Sequence, residues 1–253
     1  MPDLKTKRAE FRKLHEAGCF VLPNPWDLGS LRRLERLGFP ALATTSSGAA
    51  WAAGREDGDL SRDEVLAHLR MLCEATELPV NADFEAGFAD SADEVAANVA
   101  LAVQTGVAGL SIEDRRGGEL YDSALAVERI HAAREAIDRS GEDVLLVGRS
   151  EGFLMGRTEL AATIARLVAY AAAGADCLYA PGITTPEQIS AVVAAVAPKP
   201  VNVLLLAGMR VADLAAAGVR RVSVGGGLAA AAWAGFDRTA RQLLEEGTVP
   251  PRG

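Results

Sequence analysis

The chain has 253 residues, 49% hydrophobic and 5% aromatic, with a formal net charge of −8. That supplies core for one large α/β domain or two small ones, and the acidic balance argues against a nucleic-acid partner, whose phosphates require clustered Lys and Arg. Cys19, Cys73 and Cys177 are odd in number and widely spaced, so neither a disulfide framework nor a zinc knuckle is indicated.

The start of the chain, Met1 to Lys13, is charged and lacks the apolar core of a signal peptide. No apolar run reaches the ~18 residues of a membrane span. The expected setting is soluble, reducing and cytoplasmic. A polar lead-in helix is expected over roughly Leu4 to Ala17. Eight short apolar runs then alternate with amphipathic stretches: Phe20–Asn24, Ala41–Ser46, Pro79–Phe84, Gly109–Asp114, Val144–Ser150, Cys177–Gly182, Pro200–Leu204 and Arg221–Gly225. Ser61 and Glu64 form a capping-box pattern ahead of one helix. Ser91–Gly106, Thr158–Gly174 and Met209–Gly218 each close on a glycine, as helix C-termini commonly do. Eight runs each followed by a helix, with no break in composition, predict a single (β/α)₈ TIM barrel domain over residues 1–253, with a doubly wound open sheet as the alternative.

In a barrel the chemistry sits at the carboxyl ends of the strands. Those ends carry Asn24, Ser46-Ser47-Gly48, Asp83 with Glu85, Glu113 with Asp114, Arg149 with Glu151, Tyr179 with Pro181, Asn202, and Gly225-Gly226-Gly227. His15, His68 and His131 all fall in predicted helices, which argues against a His-ligated metal and a His base. Lys5, Lys7 and Lys13 lie in the lead-in and Lys199 at the amino end of strand seven, so no lysine is placed for a Schiff base. No cysteine is placed as a nucleophile either.

Oxygen chemistry remains. Strand side chains alternate faces, so Asp83 and Glu85 should share one side. With Glu113 they suit a hard cation, Mg²⁺ first and Mn²⁺ as the alternative, acting as a Lewis acid. Asp114, facing opposite to Glu113, is the weaker candidate. Arg149 serves either as a buried salt-bridge partner or as a clamp on substrate oxygens. Ser46-Ser47-Gly48-Ala49 offers a carboxylate cradle or is a plain loop. The glycine run is a phosphate-binding turn or a tight one.

Several pieces together resemble the isocitrate lyase/phosphoenolpyruvate mutase superfamily over nearly the whole chain. They are Phe20-Val-Leu-Pro-Asn-Pro-Trp-Asp27, Thr44-Thr-Ser-Ser-Gly48, Glu56-Asp57-Gly58, Asn81-Ala-Asp-Phe-Glu-Ala-Gly87, Ser111-Ile-Glu-Asp114 and Gly148-Arg149. The resemblance implies a (β/α)₈ barrel in which Ser47, Gly48 and Ala49, and with them Asn202 and Arg149, bind a 2-oxo acid. It implies Asp83, Glu85 and Glu113 as holders of Mg²⁺, with Asp57 reaching the site from the loop after strand two and Asp57, Glu113 and Arg149 as the catalytic set. It also implies a homodimer or homotetramer, formed by exchange of a last helix over Leu228–Gly247 with Trp233 and Phe236 as contacts. The isocitrate and methylisocitrate lyases carry a Lys-Lys-Cys-Gly-His loop after strand four; here Arg115-Arg-Gly-Gly-Glu-Leu-Tyr-Asp122 replaces it, with Gly117-Gly118 as a lid hinge and no Asn of the mutase kind. The first expectation is an enzyme, a Mg²⁺-dependent lyase that breaks a C–C bond of a small 2-oxo or 2-hydroxy acid through a pyruvate-like enolate. Water or Tyr121 would supply the proton. The alternatives are P–C or C–O chemistry on a phosphonate or phosphoenol compound, and a barrel that binds a carboxylate without turnover.

Overall fold

The structure, a computed structural model, describes residues 3–251. Eight parallel strands form one sheet: β1 (Phe20–Leu22), β2 (Leu42–Ala43), β3 (Val80–Asp83), β4 (Gly109–Glu113), β5 (Leu145–Arg149), β6 (Cys177–Tyr179), β7 (Val201–Leu204) and β8 (Arg221–Ser223). They are hydrogen-bonded in the order β1-β8-β7-β6-β5-β4-β3-β2. The sheet curls until its edges meet, where the Ala43 N–H donates to the Pro23 carbonyl at 3.0 Å. Asn24 pins this seam. Its Nδ2 donates to the Thr44 carbonyl (2.8 Å), while its Oδ1 accepts from the Val224 N–H (3.0 Å), so one amide holds the ends of β1, β2 and β8. This is the expected TIM barrel, not the open sheet.

The outer layer holds α2 (Leu28–Arg36), α3 (Ser46–Ala52), α4 (Arg62–Ala75), α5 (Ala92–Val103), α6 (Ser123–Ser140), α7 (Leu160–Ala172), α8 (Pro186–Val196), α9 (Val211–Ala216) and α10 (Gly227–Glu246). Their starts follow local chemistry. Ser61 and Glu64 cap α4 reciprocally, as do Thr185 and Gln188 at α8, where Pro186 occupies a first-turn position that needs no N–H. The second apolar run is shorter as a strand than expected: β2 stops at Ala43, because the Thr45 side chain accepts from the Gly48 N–H and starts α3 at Ser46. The lead-in helix, α1, likewise stops at Leu14 rather than Ala17. Among the described residues no helix is long and apolar enough to cross a membrane.

The role of α1 is to seal one end of the barrel. Its Phe11 is fully buried among Phe20, Leu22, Ala41, Ala43, Ala108 and Leu145, residues in or just before β1, β2, β4 and β5. A Cβ on Gly109 would lie 2.7 Å from the Phe11 ring, so glycine there makes room for the plug. Around the plug, Arg8 pairs with Glu142 and donates to the Val103 and Val107 carbonyls, and Lys7 donates to those of Cys73 and Thr76. Replacing Phe11 with Ala should cost about 3–5 kcal/mol, the range for emptying a buried aromatic site. Urea unfolding would read this as a lower midpoint at unchanged slope.

Candidate active site

The opposite, carboxyl ends of β3, β4 and β5 bring together Asp83, Glu113 and Arg149, with Glu85 and Glu151 two residues beyond their strands' acid and base. Strand register explains the meeting: Glu113 lies beside Arg149 across the β4–β5 pair, and Asp83 beside Ser111 across β3–β4. Arg149 is the hub. Its Nη1 donates to Asp83 Oδ1 at 3.2 Å and its Nε to Glu151 Oε1 at 2.5 Å, with Glu113 Oε2 at 3.4 Å from the same nitrogen. The Tyr179 ring lies beneath, its centroid 5.4 Å from the guanidinium carbon. Asp83 also accepts from the Ser46 N–H (3.1 Å) at the start of α3. The Asp83 N–H in turn donates to Thr44 Oγ1 (2.9 Å).

Glu85 reaches this space by a route that strand alternation does not describe. β3 ends at Asp83, and Glu85 has a φ of +47°. A non-glycine residue in that region is strained by roughly 1–3 kcal/mol, a feature that clusters at functional sites. Burial pushes the Glu85 carboxyl up to about 7, and the charges of Asp83 and Asp57 add to the effect against the pull of Arg149 and Arg115. Burial also raises Glu113, with Glu151 and Asp83 adding to it and Arg149 opposing. Burial works against the Arg149 charge, but the fields of Glu113, Glu151 and Asp83 outweigh it and hold the guanidinium well above its ordinary pKa. Four carboxylates therefore face the largely buried Arg149 guanidinium, with Arg115 a more distant second cation. Glu151, 1% exposed, keeps Oε2 without a hydrogen bond, with Arg115 Nη1 3.9 Å away.

Among the described residues no three His, Cys, Asp or Glu side chains converge closely enough to chelate an ion directly, because the Arg149 guanidinium lies between Asp83 and Glu113. The donor set still fits a hard cation. It is all oxygen, it carries excess negative charge, and Glu151 presents an unsatisfied buried oxygen; Mg²⁺ is commonly held by one or two carboxylates with water completing its shell. Size alone would point elsewhere. A groove of about 710 Å³ between α1, α5 and α6, lined by Ala96, Ala100, Arg139 and Glu142, contains none of these groups.

The remaining expected residues separate into two groups. Asp57 sits in the exposed loop before α4, close enough for its field to act on Glu85. Ser47 lies in the first turn of α3, its hydroxyl 3.0 Å from Thr45 Oγ1. Gly48 and Ala49 follow it, but their N–H groups bond within that turn, to Thr45 Oγ1 and the Thr45 carbonyl. The expected loop cradle is thus a helix start, with Gly48 buried where a Cβ would meet Trp26 and Thr45 under 3.0 Å. Gly226 makes a similar close approach, 2.6 Å from Ser47 Oγ for an added Cβ, which accounts for the glycine run as a tight turn.

Two expected residues are hydrogen-bonded away from the acid cluster. Asn202 does not end its strand: β7 continues to Leu204, and the fully buried amide is spent on Ser223 Oγ (Nδ2, 3.0 Å) and Arg221 Nε (Oδ1, 3.0 Å) inside the barrel. Tyr121 is no free acid either; its hydroxyl donates to Asp90 Oδ1 at 2.7 Å, and burial followed by that bond raises its pKa. Asp114 faces outward as expected, accepting from Tyr170 Oη (2.6 Å), the Glu151 N–H (2.8 Å) and Arg166 Nη1 (3.3 Å). Glu151 carries the clearest role that sequence reasoning left unassigned, although its spacing of two from Arg149 places both on one side. Over the site, Arg115–Arg116 and Glu119–Leu120 pair as a small antiparallel hairpin that turns at Gly117-Gly118.

The chain matches the phosphoenolpyruvate phosphomutase family over residues 11–244. It superposes on the crystal structure of a Burkholderia cenocepacia J2315 protein described as a lyase or mutase, with a TM-score of 0.95 and 46% identity, covering 98% of this chain and 92% of that one. An oxaloacetate acetylhydrolase in complex with its product oxalate superposes with a TM-score of 0.89 at 26% identity, over 98% and 90% of the two chains. An oxaloacetate decarboxylase from Rhodopseudomonas palustris (strain BisB5) is 31% identical over 207 residues, 76% of this chain and 68% of that protein.

The raised Glu85 carboxyl has a consequence for stability. Its folded pKa of about 7 stands above an unfolded value near 4.3. Between those values the folded chain binds more protons, so stability falls as pH rises through the window. Buried His15, depressed to about 3, acts in the opposite sense below about pH 6.5. A difference measurement separates the two. In chelator, the Tm of wild type minus that of Glu85→Gln should become more negative from pH 5 to pH 8; a flat or rising difference would contradict the assignment.

Proposed function

The chain belongs to the phosphoenolpyruvate phosphomutase family, and on that footing we propose a Mg²⁺-dependent lyase that breaks a C–C bond in a small 2-oxo or 2-hydroxy carboxylic acid. It is an enzyme of the superfamily that holds isocitrate lyase and phosphoenolpyruvate mutase, whose named members include carbon–carbon lyases and mutases. The observation that carries the finer reading is the surplus of buried carboxylates, Asp83, Glu85, Glu113 and Glu151, around one guanidinium. Such a surplus costs folding free energy and asks for a cation.

Asp83, Glu85 and Glu113 would hold Mg²⁺, directly or through water, with Mn²⁺ as the substitute. When bound, the ion supplies Lewis acidity toward the substrate carbonyl. Arg149 faces the charge that develops on the substrate oxygen as the C–C bond opens, and Glu151 and Tyr179 fix the plane of its guanidinium. Ser47, at the start of α3, receives the substrate carboxylate, with Gly48 and Ala49 shaping that turn. Asp57 closes the side next to Glu85. With Tyr121 bound to Asp90 and no Cys in the Arg115–Leu120 hairpin, water is the proton source at the substrate carbon. The likeness to an oxaloacetate decarboxylase and to an acetylhydrolase bound to oxalate supports this reading.

The same chain would assemble with copies of itself through α10. Of its twenty residues only Ala229 is buried, while Phe236 and Leu244 are 64% and 86% exposed and Trp233 stacks edge-on against Phe236. A helix so apolar and so little covered fits exchange with a second copy.

The purified protein with Mg²⁺ should release pyruvate from one of a panel of oxaloacetate and substituted malates, and chelator should stop it. Asp83→Ala should abolish turnover, and Glu151→Gln should lower activity or metal affinity about 10- to 100-fold, the range for outer-shell partners. Full activity in chelator would overturn the metal reading. Phosphate or phosphonate products would favour the mutase reaction, and oxalate binding without turnover a carboxylate-binding role. Light scattering should give a dimer or tetramer that Phe236→Glu dissociates.

A further inference from the structure

Arg129 lies outside the acid cluster, on the buried side of α6, with 1% of its surface exposed. A buried guanidinium ordinarily has a carboxylate partner. Among the described residues no carboxylate forms an ion pair or hydrogen bond with Arg129. Its Nη1 donates instead to the carbonyls of Ala89 and Asp90, both at 2.5 Å, and its Nη2 to that of Ala86. All three carbonyls belong to the loop that follows β3. That loop holds the two non-glycine residues with positive φ among the described residues, Glu85 at +47° and Phe88 at +57°. Three carbonyls turned toward one cation account for a backbone that is otherwise uphill.

One face of the guanidinium is covered by the Tyr121 ring, 4.0 Å from the guanidinium carbon to the ring centroid. Tyr121 is the residue at which the hairpin over the site rejoins the body of the protein. Its N–H donates to the Asp114 carbonyl (2.9 Å), its carbonyl accepts from Arg166 Nη2 (2.9 Å), and its hydroxyl donates to Asp90 in the same loop that Arg129 holds. Arg116, on the hairpin, pairs with the second oxygen of Asp90. Loop and hairpin therefore share one buried cation and one carboxylate.

We infer that Arg129 is a positioning residue that ties the turn presenting Glu85 to the root of the hairpin over the site, so that both are set by one side chain. The consequence for metal binding rests on the reading of Glu85 given above; the mechanical link does not. Lysine cannot replace the arginine, since it lacks the planar fork for three carbonyls and the flat face for the ring.

The test is amide hydrogen exchange on wild type and Arg129→Lys, with Mg²⁺ titration followed by Tm. The reporting amides are Gly87 N–H, bonded to the Phe84 carbonyl, and Tyr121 N–H, bonded to Asp114. In the variant both should exchange at least about tenfold faster while α8 keeps its wild-type rates, as for a local opening. Half-saturating Mg²⁺ should rise about 10- to 100-fold. Unchanged exchange at both amides overturns the link, and so does a uniform rise that includes α8, the mark of general destabilisation. If Arg129→Lys does not fold, Tyr121→Leu carries the test, because it removes the ring and leaves the carbonyls in place. Faster exchange at Gly87 as well as in the hairpin supports the link, and a rise confined to the hairpin overturns it. If Mg²⁺ fails to stabilise wild type, the metal reading falls and the exchange pattern alone decides the link.

Discussion

One buried guanidinium organises the carboxyl end of this barrel. Arg149 touches acids from three successive strands and their loops, Asp83, Glu113 and Glu151, and lies on the ring of Tyr179. Arginine suits the position because its donors are rigidly planar and its charge survives burial. Yet Arg149, even with Arg115 nearby, does not balance four carboxylates, and burial, with the repulsion among those acids added to it, raises the pKa of Glu85 and Glu113. A fold selected for stability alone would carry fewer acids here. Sites where local rules are broken at a cost elsewhere are where function is expected.

The rest of the structure holds that cluster steady. At the other end of the barrel α1 inserts Phe11 among residues of β1, β2, β4 and β5 and secures itself with Lys7 and Arg8 on carbonyls of neighbouring elements. The strands between are packed with small and branched side chains, so their ends have little freedom to splay. Asn24 performs a comparable task at the seam, where β1 and β2 do not pair as strands and a side-chain amide supplies the missing tie.

Neighbouring acids on one strand have separate tasks. Glu113 points into the barrel, where burial raises its pKa, whereas Asp114 points out and satisfies a tyrosine, an arginine and the Glu151 backbone. The outward network holds Glu151 by its N–H while Arg149 holds it by its carboxylate. The hairpin over the site is tied to the same network through Tyr121 and Arg166. Site and scaffold are thus continuous rather than layered.

The alternation of eight apolar runs with amphipathic helices was enough to determine a parallel α/β fold, because each strand must be apolar on both faces when helices cover it; closure into a barrel rather than an open sheet was decided by the meeting of β1, β2 and β8. The run ends were enough to place Asp83, Glu113 and Arg149 together, since a barrel converges its strand ends and side-chain alternation separates Glu113 from Asp114. What the sequence could not determine depended on distance across the fold. Asn202 belonged to the interior because Arg221 and Ser223 of the neighbouring strand β8 take up its amide. Glu85 reached the cluster through a left-handed turn, which Arg129 holds from a helix more than forty residues downstream in the chain. Tyr121 was withdrawn from chemistry by Asp90, a partner thirty-one positions away. Local periodicity fixes which face a residue takes; what waits on that face is set by residues remote in sequence, and only the folded chain brings them within hydrogen-bonding range.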